Sequence, residues 1–136
     1  MKEIMAVVRM NKTGATKQAL VEAGVAGFTA IKVEGRGKLV TNPTLILERK
    51  KELLLMAGED ETGEAEKLIT DFLVGTSLFP RRLFNIIAHD DEVEKIVNAI
   101  IQANKTCNNV GDGKIFVLPT TDVIRVRTGE TGDAAV

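Results

Sequence analysis

Two segments of the chain, one towards each end, show the same order of strand, helix and strand. In the first, residues 2–9 and 28–34 alternate like strands. Between them, residues 11–13 supply helix-start chemistry, residues 16–23 are good helix formers, and Gly24 is suited to end the helix. This order predicts one β-α-β unit.

The second segment repeats the plan with a clearer helix. Residues 82–88 and 114–118 are strand-like, and the spacing of Asp91 and Glu94 is that of a capping box. Apolar residues then recur at the helical spacing i, i+3, i+4, i+7, i+8, and we expect this stripe to be core: Val93, Ile96, Val97, Ile100 and Ile101.

Two such units in one chain of 136 residues predict an α+β fold. The expected arrangement is the ferredoxin-like split βαβ, a four-stranded antiparallel sheet with two helices on one face. The other face would also be apolar, and self-association would cover it, so we expect a homo-oligomer. Its apolar residues are Met5, Val7, Leu83 and Ile87.

A connection of unusual length, residues 35–80, separates the two units. It contains two helix-capable pieces, 45–56 and 64–74, and its apolar content suggests that it docks on something. We therefore divide a single domain, 1–136, into a first β-α-β unit (1–35), a long inserted loop (36–80), a second unit (81–119) and a C-terminal segment (120–136).

Glycines and basic residues meet at the start of the last strand, in the stretch Gly111-Asp112-Gly113-Lys114. Glycines let the backbone turn sharply and approach a ligand closely, and a lysine supplies the charge that a phosphate requires. Arg125 and Arg127 would share one face if 122–127 is extended. These features together suggest a polyphosphate site.

Composition excludes several function classes. A net charge of −1 and the absence of Trp and Tyr argue against a general binder of nucleic acid or membrane surfaces. One Cys and one His exclude a disulfide framework and a Cys/His zinc cluster. There is no signal-peptide pattern and no apolar run of the roughly 18 residues that a spanning helix needs, so we expect a cytoplasmic protein.

The glycine-basic turn at 35–38, the long insertion and the stretch 111–129 together resemble the nitrogen-regulatory PII signal-transduction family. The resemblance covers 1–38 and Pro80 to the C-terminus. Within the family, the chain is most similar to the nitrogen-fixation-linked subgroup of archaea and anaerobic bacteria, and to the second of its two paralogous types. The details that indicate this subgroup are Arg9-Met10-Asn11-Lys12, Gly35-Arg36-Gly37-Lys38, Pro80-Arg81-Arg82 and the run 125–132, Arg-Val-Arg-Thr-Gly-Glu-Thr-Gly.

The resemblance implies a trimeric, non-enzymatic sensor. Such proteins bind ATP or ADP between subunits and 2-oxoglutarate beside the nucleotide, and a long T-loop, here 36–80, then grips or releases a target. In the nitrogen-fixation subgroup the implied target is nitrogenase, specifically its dinitrogenase component. The implied assembly is a homotrimer or a hetero-oligomer with a paralogous subunit.

The resemblance also implies the site residues. For 2-oxoglutarate they are Arg81, which stands where the family has a lysine, together with Gly37 and Lys38. For the nucleotide they are Thr29, Gly35, Gly37, Lys38, Thr106, Gly111, Asp112, Gly113, Lys114, Arg125 and Arg127.

The chain departs from the family pattern at two points. The family's glutamine that binds magnesium is here Leu39, and leucine lacks the oxygen that a hard cation requires. Two alternatives follow: magnesium and 2-oxoglutarate bind this chain alone, or they bind at a site that a paralogous subunit completes. The chain also has no tyrosine, so uridylylation of a loop tyrosine is impossible.

Other functions remain as alternatives. The target could be an ammonium transporter, which would bring membrane contact, or a nitrogen-assimilation enzyme. An enzyme such as a slow ATPase or nucleotide transferase is less well supported, because only Asp112 could converge on the phosphates as a general base. A metal-tolerance protein is disfavoured because one Cys and one His offer few soft ligands.

Overall fold

The computed structural model describes residues 1–37, 47–48, 50–51, 54, 63, 66–67, 69–71, 78–107 and 111–136. The chain divides into two compact units, which are described separately. The first unit comprises Met1–Val33 and Pro80–Val136, and the second comprises Glu34–Phe79.

The main element of the first unit is a four-stranded sheet. Its strands are β1 (Lys2–Arg9), β2 (Thr29–Gly35), β3 (Phe79–Ala88) and β4 (Lys114–Pro119), in the order β2-β3-β1-β4. β1 is antiparallel to both β3 and β4. With helices α1 (Thr13–Glu22) and α2 (Val93–Asn104), this is the ferredoxin-like arrangement that the sequence predicted.

The core lies between the helices and one face of the sheet. Because side chains alternate across a strand, every second residue of β1 and β3 faces the helices. The Phe28 ring packs edge-on against Phe84, with the ring centroids 5.7 Å apart. The core residues, all at most 2% exposed, are Ile4, Ala6, Val8, Leu20, Phe84, Ile86, Ala88, Ile96 and Ile100.

Helix α1 ends at Glu22 with Ala23 as its C-cap, and Gly24 takes the C′ position that the sequence predicted for it. That glycine has a φ of 77°, its N–H donates to the Val21 carbonyl, and the Val25 N–H donates to the Leu20 carbonyl. This pair of bonds satisfies carbonyls that the end of the helix would otherwise leave unpaired. The two helices are joined by a buried hydrogen bond from Asn104 Nδ2 to Thr16 Oγ1, 2.9 Å long.

Three local predictions were wrong. β3 begins at Phe79 rather than at 82, because a proline near the start of a strand does not interrupt it. The N-cap of α2 is Glu92 rather than Asp91, because residues 90–92 first form a turn in which the Glu92 N–H donates to the His89 carbonyl. Ile101, assigned to the core stripe, is 40% exposed because it lies at the edge of the buried face of the helix.

The described residues of the second unit include parts of both expected helical pieces. Residues 47–48, 50–51 and 54 are helical, and so are 66–67 and 69–71. An ion pair of 2.7 Å joins Lys50 Nζ to Glu66 Oε1. The remainder of those two pieces lies outside the described residues. Within the part of the chain that is described, no helix is long and apolar enough to cross a membrane.

Adjacent isoleucines of α2 provide a matched test of this core. We expect Ile100→Ala to lower the free energy of unfolding by about 2–5 kcal/mol, because it leaves a cavity beneath the sheet. Ile101→Ala should change it by no more than about 0.5 kcal/mol. Urea unfolding followed by far-UV circular dichroism measures both, since the chain lacks Trp and Tyr. Equal losses would contradict the assignment of the buried face.

Candidate functional site

The turn that leads into β4, residues 111–113, is built on two glycines in left-handed conformations. Gly111 has a φ of 93° and Gly113 a φ of 111°, values that other residues rarely adopt. A Cβ atom at Gly113 would also collide with the backbone carbonyl oxygen of Val7. The turn therefore lies directly against the backbone of β1, and only glycine fits at position 113.

The Asp112 carboxylate fixes the turn to the chain that follows α2. Thr106 donates to it twice, from its hydroxyl at 2.7 Å and from its backbone N–H at 2.9 Å. Arg9 Nη2 lies 3.1 Å from Asp112 Oδ1. Partial burial raises the pKa of Asp112, but the Thr106 hydrogen bonds and the charges of Arg9 and Lys12 outweigh it, so the pKa lies below its usual value.

Two arginines converge on the carbonyl oxygen of Gly111. Arg9 Nε donates to it at 2.9 Å, and Arg81 Nη1 donates to it at 2.9 Å. The arginines meet because Arg9 and Arg81 are direct partners in the β1–β3 register. Burial, and then the like charge of Arg9, lower the pKa of Arg81. A bound anion would relieve this repulsion.

Lys114 adds a third cation on the same face of the sheet. It pairs with Val7, which shares a face with Arg9 two residues along β1. Three cations and one carboxylate thus lie near one end of the sheet face that is opposite the helices. We call this the second face; its apolar residues, half-buried or exposed, are Met5, Val7, Leu83, Ile87, Phe116 and Leu118.

The C-terminal segment differs from the prediction. Residues 122–127 are not one extended strand: Ile124 pairs with Thr131, and the backbone between them forms a tight turn. The Gly129 N–H donates to the Arg125 carbonyl at 2.8 Å. Arg125 Nη1 contacts Glu130 Oε2 at 2.6 Å, and its Nη2 donates to the Ala134 carbonyl, while Arg127 is exposed in the turn. The two arginines therefore do not share a strand face.

The remaining site predictions are distributed over both units. Thr29 is the first, exposed residue of β2. Gly35 and Gly37 belong to the second unit. Lys38 and Leu39 lie outside the described residues.

The structure brings together Arg81, Thr106 and the glycine turn, and it adds Arg9. The sequence predictions gave Arg9 no role at the site, although the pairing of β1 with β3 would have placed it beside Arg81. No group of three or more His, Cys, Asp or Glu side chains suited to a metal ion occurs among the residues described.

The low pKa of Asp112 predicts an acid-sensitive contribution to stability. Its folded-state pKa lies below the unfolded value of about 3.9, so this stability is fully present above about pH 4 and is lost as the pH falls through the folded-state pKa. We expect the difference in unfolding free energy between wild type and Asp112→Asn to shrink below about pH 4. Urea titrations at several pH values measure it.

Thr106→Val serves as the companion variant, because it removes the hydroxyl donor and leaves the carboxylate. Its stability should fall less on acidification than that of wild type. A difference between wild type and Asp112→Asn that does not depend on pH would contradict the assigned contacts.

Comparison with known proteins finds one protein family and several relatives that match most or all of the chain. The family model described as nitrogen regulatory protein P-II matches residues 1–130. The nitrogen fixation nifHD1 region GlnB-like protein 2 of Methanosarcina barkeri is 39% identical over 137 residues, covering 100% of this chain and 99% of that protein. The nifHD region GlnB-like protein 2 of Methanobacterium ivanovii is 34% identical over 138 residues, with coverages of 100% and 99%.

Two further similar proteins carry the general PII name. Nitrogen regulatory protein P-II of Cereibacter sphaeroides is 35% identical over 136 residues, with 100% coverage of both chains. The crystal structure of Arabidopsis thaliana PII bound to citrate is similar with a TM-score of 0.66 and 30% identity, covering 99% of this chain and 91% of that chain. The chain therefore belongs to the nitrogen regulatory protein P-II family and is a regulatory protein rather than an enzyme.

Proposed function

We propose that this protein senses nitrogen status by binding ATP or ADP at the glycine turn 111–113 and regulates nitrogenase through its inserted segment, 36–80. The observation that carries the nucleotide site is the turn itself. Its two glycines place backbone against β1, and Arg9, Arg81 and Lys114 lie on the adjoining sheet face. Its single carboxylate, that of Asp112, is already bound by Thr106 and Arg9.

The charge balance favours an anionic ligand. Asp112 accepts hydrogen bonds from its neighbours, so it shapes the turn and neutralises part of the Arg9 charge. Arg81 and Lys114 carry further positive charge beside a turn that has no side chains at 111 and 113. A di- or triphosphate offers several acceptor oxygens to these cations and to the backbone N–H groups of the turn. Charge-assisted hydrogen bonds of this kind are stronger than those between neutral groups.

The second face is the surface on which we expect neighbouring subunits to pack, beside the proposed nucleotide. Phe116 is 48% exposed and Leu118 37% exposed, and apolar surface of this kind is usually covered by a partner. In the proposed assembly, a trimer of this chain or a hetero-oligomer with a paralogue, neighbouring copies cover the face. Arg125 and Arg127 would then reach the nucleotide of a neighbour. The resemblance to the family adds Thr29, Gly35, Gly37 and Lys38 to the residues proposed to bind the nucleotide.

Arg81 is the proposed anchor for 2-oxoglutarate, together with Gly37 and Lys38. An arginine can hold a carboxylate through two parallel hydrogen bonds, which a lysine cannot. The Arabidopsis PII structure contains citrate, a polycarboxylate, and that is compatible with this role. Leu39 cannot ligate magnesium, so no step of the proposal depends on that ion.

The nitrogenase target is supported by the relatives. Those from Methanosarcina barkeri, Methanobacterium ivanovii and Methanococcus maripaludis are all described as products of a nifHD region. The proposed target is the dinitrogenase component, and the proposed location is the cytoplasm. Because the chain has no tyrosine, ligands rather than tyrosine uridylylation would control the inserted segment.

Calorimetric titration with ATP, followed by 2-oxoglutarate, tests the ligand sites. We expect ATP to bind, and Lys114→Ala to weaken binding about 10- to 100-fold, the value of a lost charge-assisted contact. Lys17→Ala, an exposed lysine of α1, is the matched control and should bind as wild type does. Arg81→Ala should weaken 2-oxoglutarate binding to the ATP complex. A folded wild type that does not bind ATP would contradict the proposal.

A nitrogenase assay tests the target. Adding the wild-type protein with ADP to purified dinitrogenase and its reductase should inhibit substrate reduction, and ATP with 2-oxoglutarate should relieve the inhibition. Lys114→Ala should lose the response to nucleotide. Absence of inhibition, together with capture of an ammonium transporter or a nitrogen-assimilation enzyme in a pull-down from nitrogen-replete lysate, would assign the protein to a different target.

A further inference from the structure

Arg9 contacts two consecutive residues of the glycine turn with one edge of its guanidinium group. Nε donates to the Gly111 carbonyl at 2.9 Å, and Nη2 lies 3.1 Å from Asp112 Oδ1. These contacts join the end of β1 to residues more than a hundred positions later in the chain. The Arg9 side chain is 24% exposed, so solvent screens the pair only in part.

We propose that Arg9 is a positioning residue that holds the glycine turn in the shape required for nucleotide binding. This role rests on the nucleotide site proposed above and adds to it a residue that need not touch the ligand. A guanidinium is planar, and its Nε and Nη2 groups have a fixed separation. The two contacts therefore fix the Gly111 carbonyl relative to the Asp112 carboxylate.

The turn depends on contacts with the rest of the chain, because its two glycines do not themselves restrict the backbone conformation. Gly111 and Gly113 have the widest conformational freedom of any residue type, and ordering them costs more entropy than ordering other residues. Below the turn, Val7 limits how closely Gly113 can approach β1. On one side, Thr106 binds Asp112. Arg9 contacts Asp112 as well and also donates to the Gly111 carbonyl, so it restrains both residues.

Arg81 shares the Gly111 oxygen and does not replace Arg9. Arg81 donates to that oxygen through Nη1, whereas Arg9 donates to it through Nε and also contacts Asp112 through Nη2. A lysine at position 9 would keep the positive charge but could not reproduce the rigid two-point contact. The conservative substitution Arg9→Lys therefore separates geometry from charge.

The experiment measures ATP affinity by calorimetry for wild type, Arg9→Lys and Arg82→Lys. Arg82 is the matched control because it lies on β3 next to Arg81, and strand alternation places it on the opposite face of the sheet. We expect Arg9→Lys to raise the dissociation constant for ATP about 5- to 30-fold. Arg82→Lys should stay within about twofold of wild type.

A second measurement, without ligand, follows the turn directly. In amide NMR spectra, Arg9→Lys should shift the Gly111 and Gly113 signals and leave that of Gly14, in α1, in place. In the Asp112→Asn background, Arg9→Lys should have a smaller effect on ATP affinity, because the side chain at 112 that Arg9 contacts has lost its charge.

The outcomes are distinguishable from failure of the proposed function. If wild type binds ATP and Arg9→Lys binds equally well, or if Arg82→Lys weakens binding as much, the positioning role is wrong. If wild type does not bind ATP, the proposed nucleotide site fails. The Gly111 and Gly113 signals then decide alone whether Arg9 holds the turn, and unchanged signals would overturn the role.

Discussion

The antiparallel pairing of β1 with β3 on one side and β4 on the other determines the face on which each side chain lies. In this register Ile4, paired with Ile86 and Val117, faces the helices. The same register pairs Arg9 with Arg81 on the second face. A slip of one residue would exchange the two faces, exposing the core and burying the arginines. Core and candidate site therefore depend on a single alignment of strands.

Much of this fold could be predicted from local sequence, because alternation and helical spacing are strong where one side of an element is buried. β1, α1 and β4 lie within a few residues of their expected bounds, and the sheet order follows from two β-α-β units. Local pattern was less informative at element ends. Phe79 and Pro80 join β3, and Ile101 has helical spacing but lies at the margin of the buried surface.

The candidate site was predictable in part, and the reason is physical. Two closely spaced glycines followed by a lysine form a recognisable sequence pattern, so the turn at 111–113 could be located. The contact between Arg9 and Asp112 leaves no such pattern, because Arg9 reaches Asp112 only after β1 and β4 have paired. The prediction for the C-terminal segment was wrong for a related reason. Two arginines at i and i+2 share a face in a strand, but Gly129 allows the chain to turn back, and Glu130 then binds Arg125.

The shared acceptor at Gly111 offers a physical route for coupling between the two proposed ligands. A ligand shifts a conformational equilibrium only by the difference in its affinity for the two states. If Arg81 binds a 2-oxoglutarate carboxylate as proposed and uses Nη1 to do so, it exchanges its bond to the Gly111 oxygen for one to the ligand. That exchange is easier when Arg9 continues to satisfy the same oxygen and an anion nearby offsets the paired arginine charges. A nucleotide phosphate would supply that anion, so nucleotide bound first would favour 2-oxoglutarate bound second.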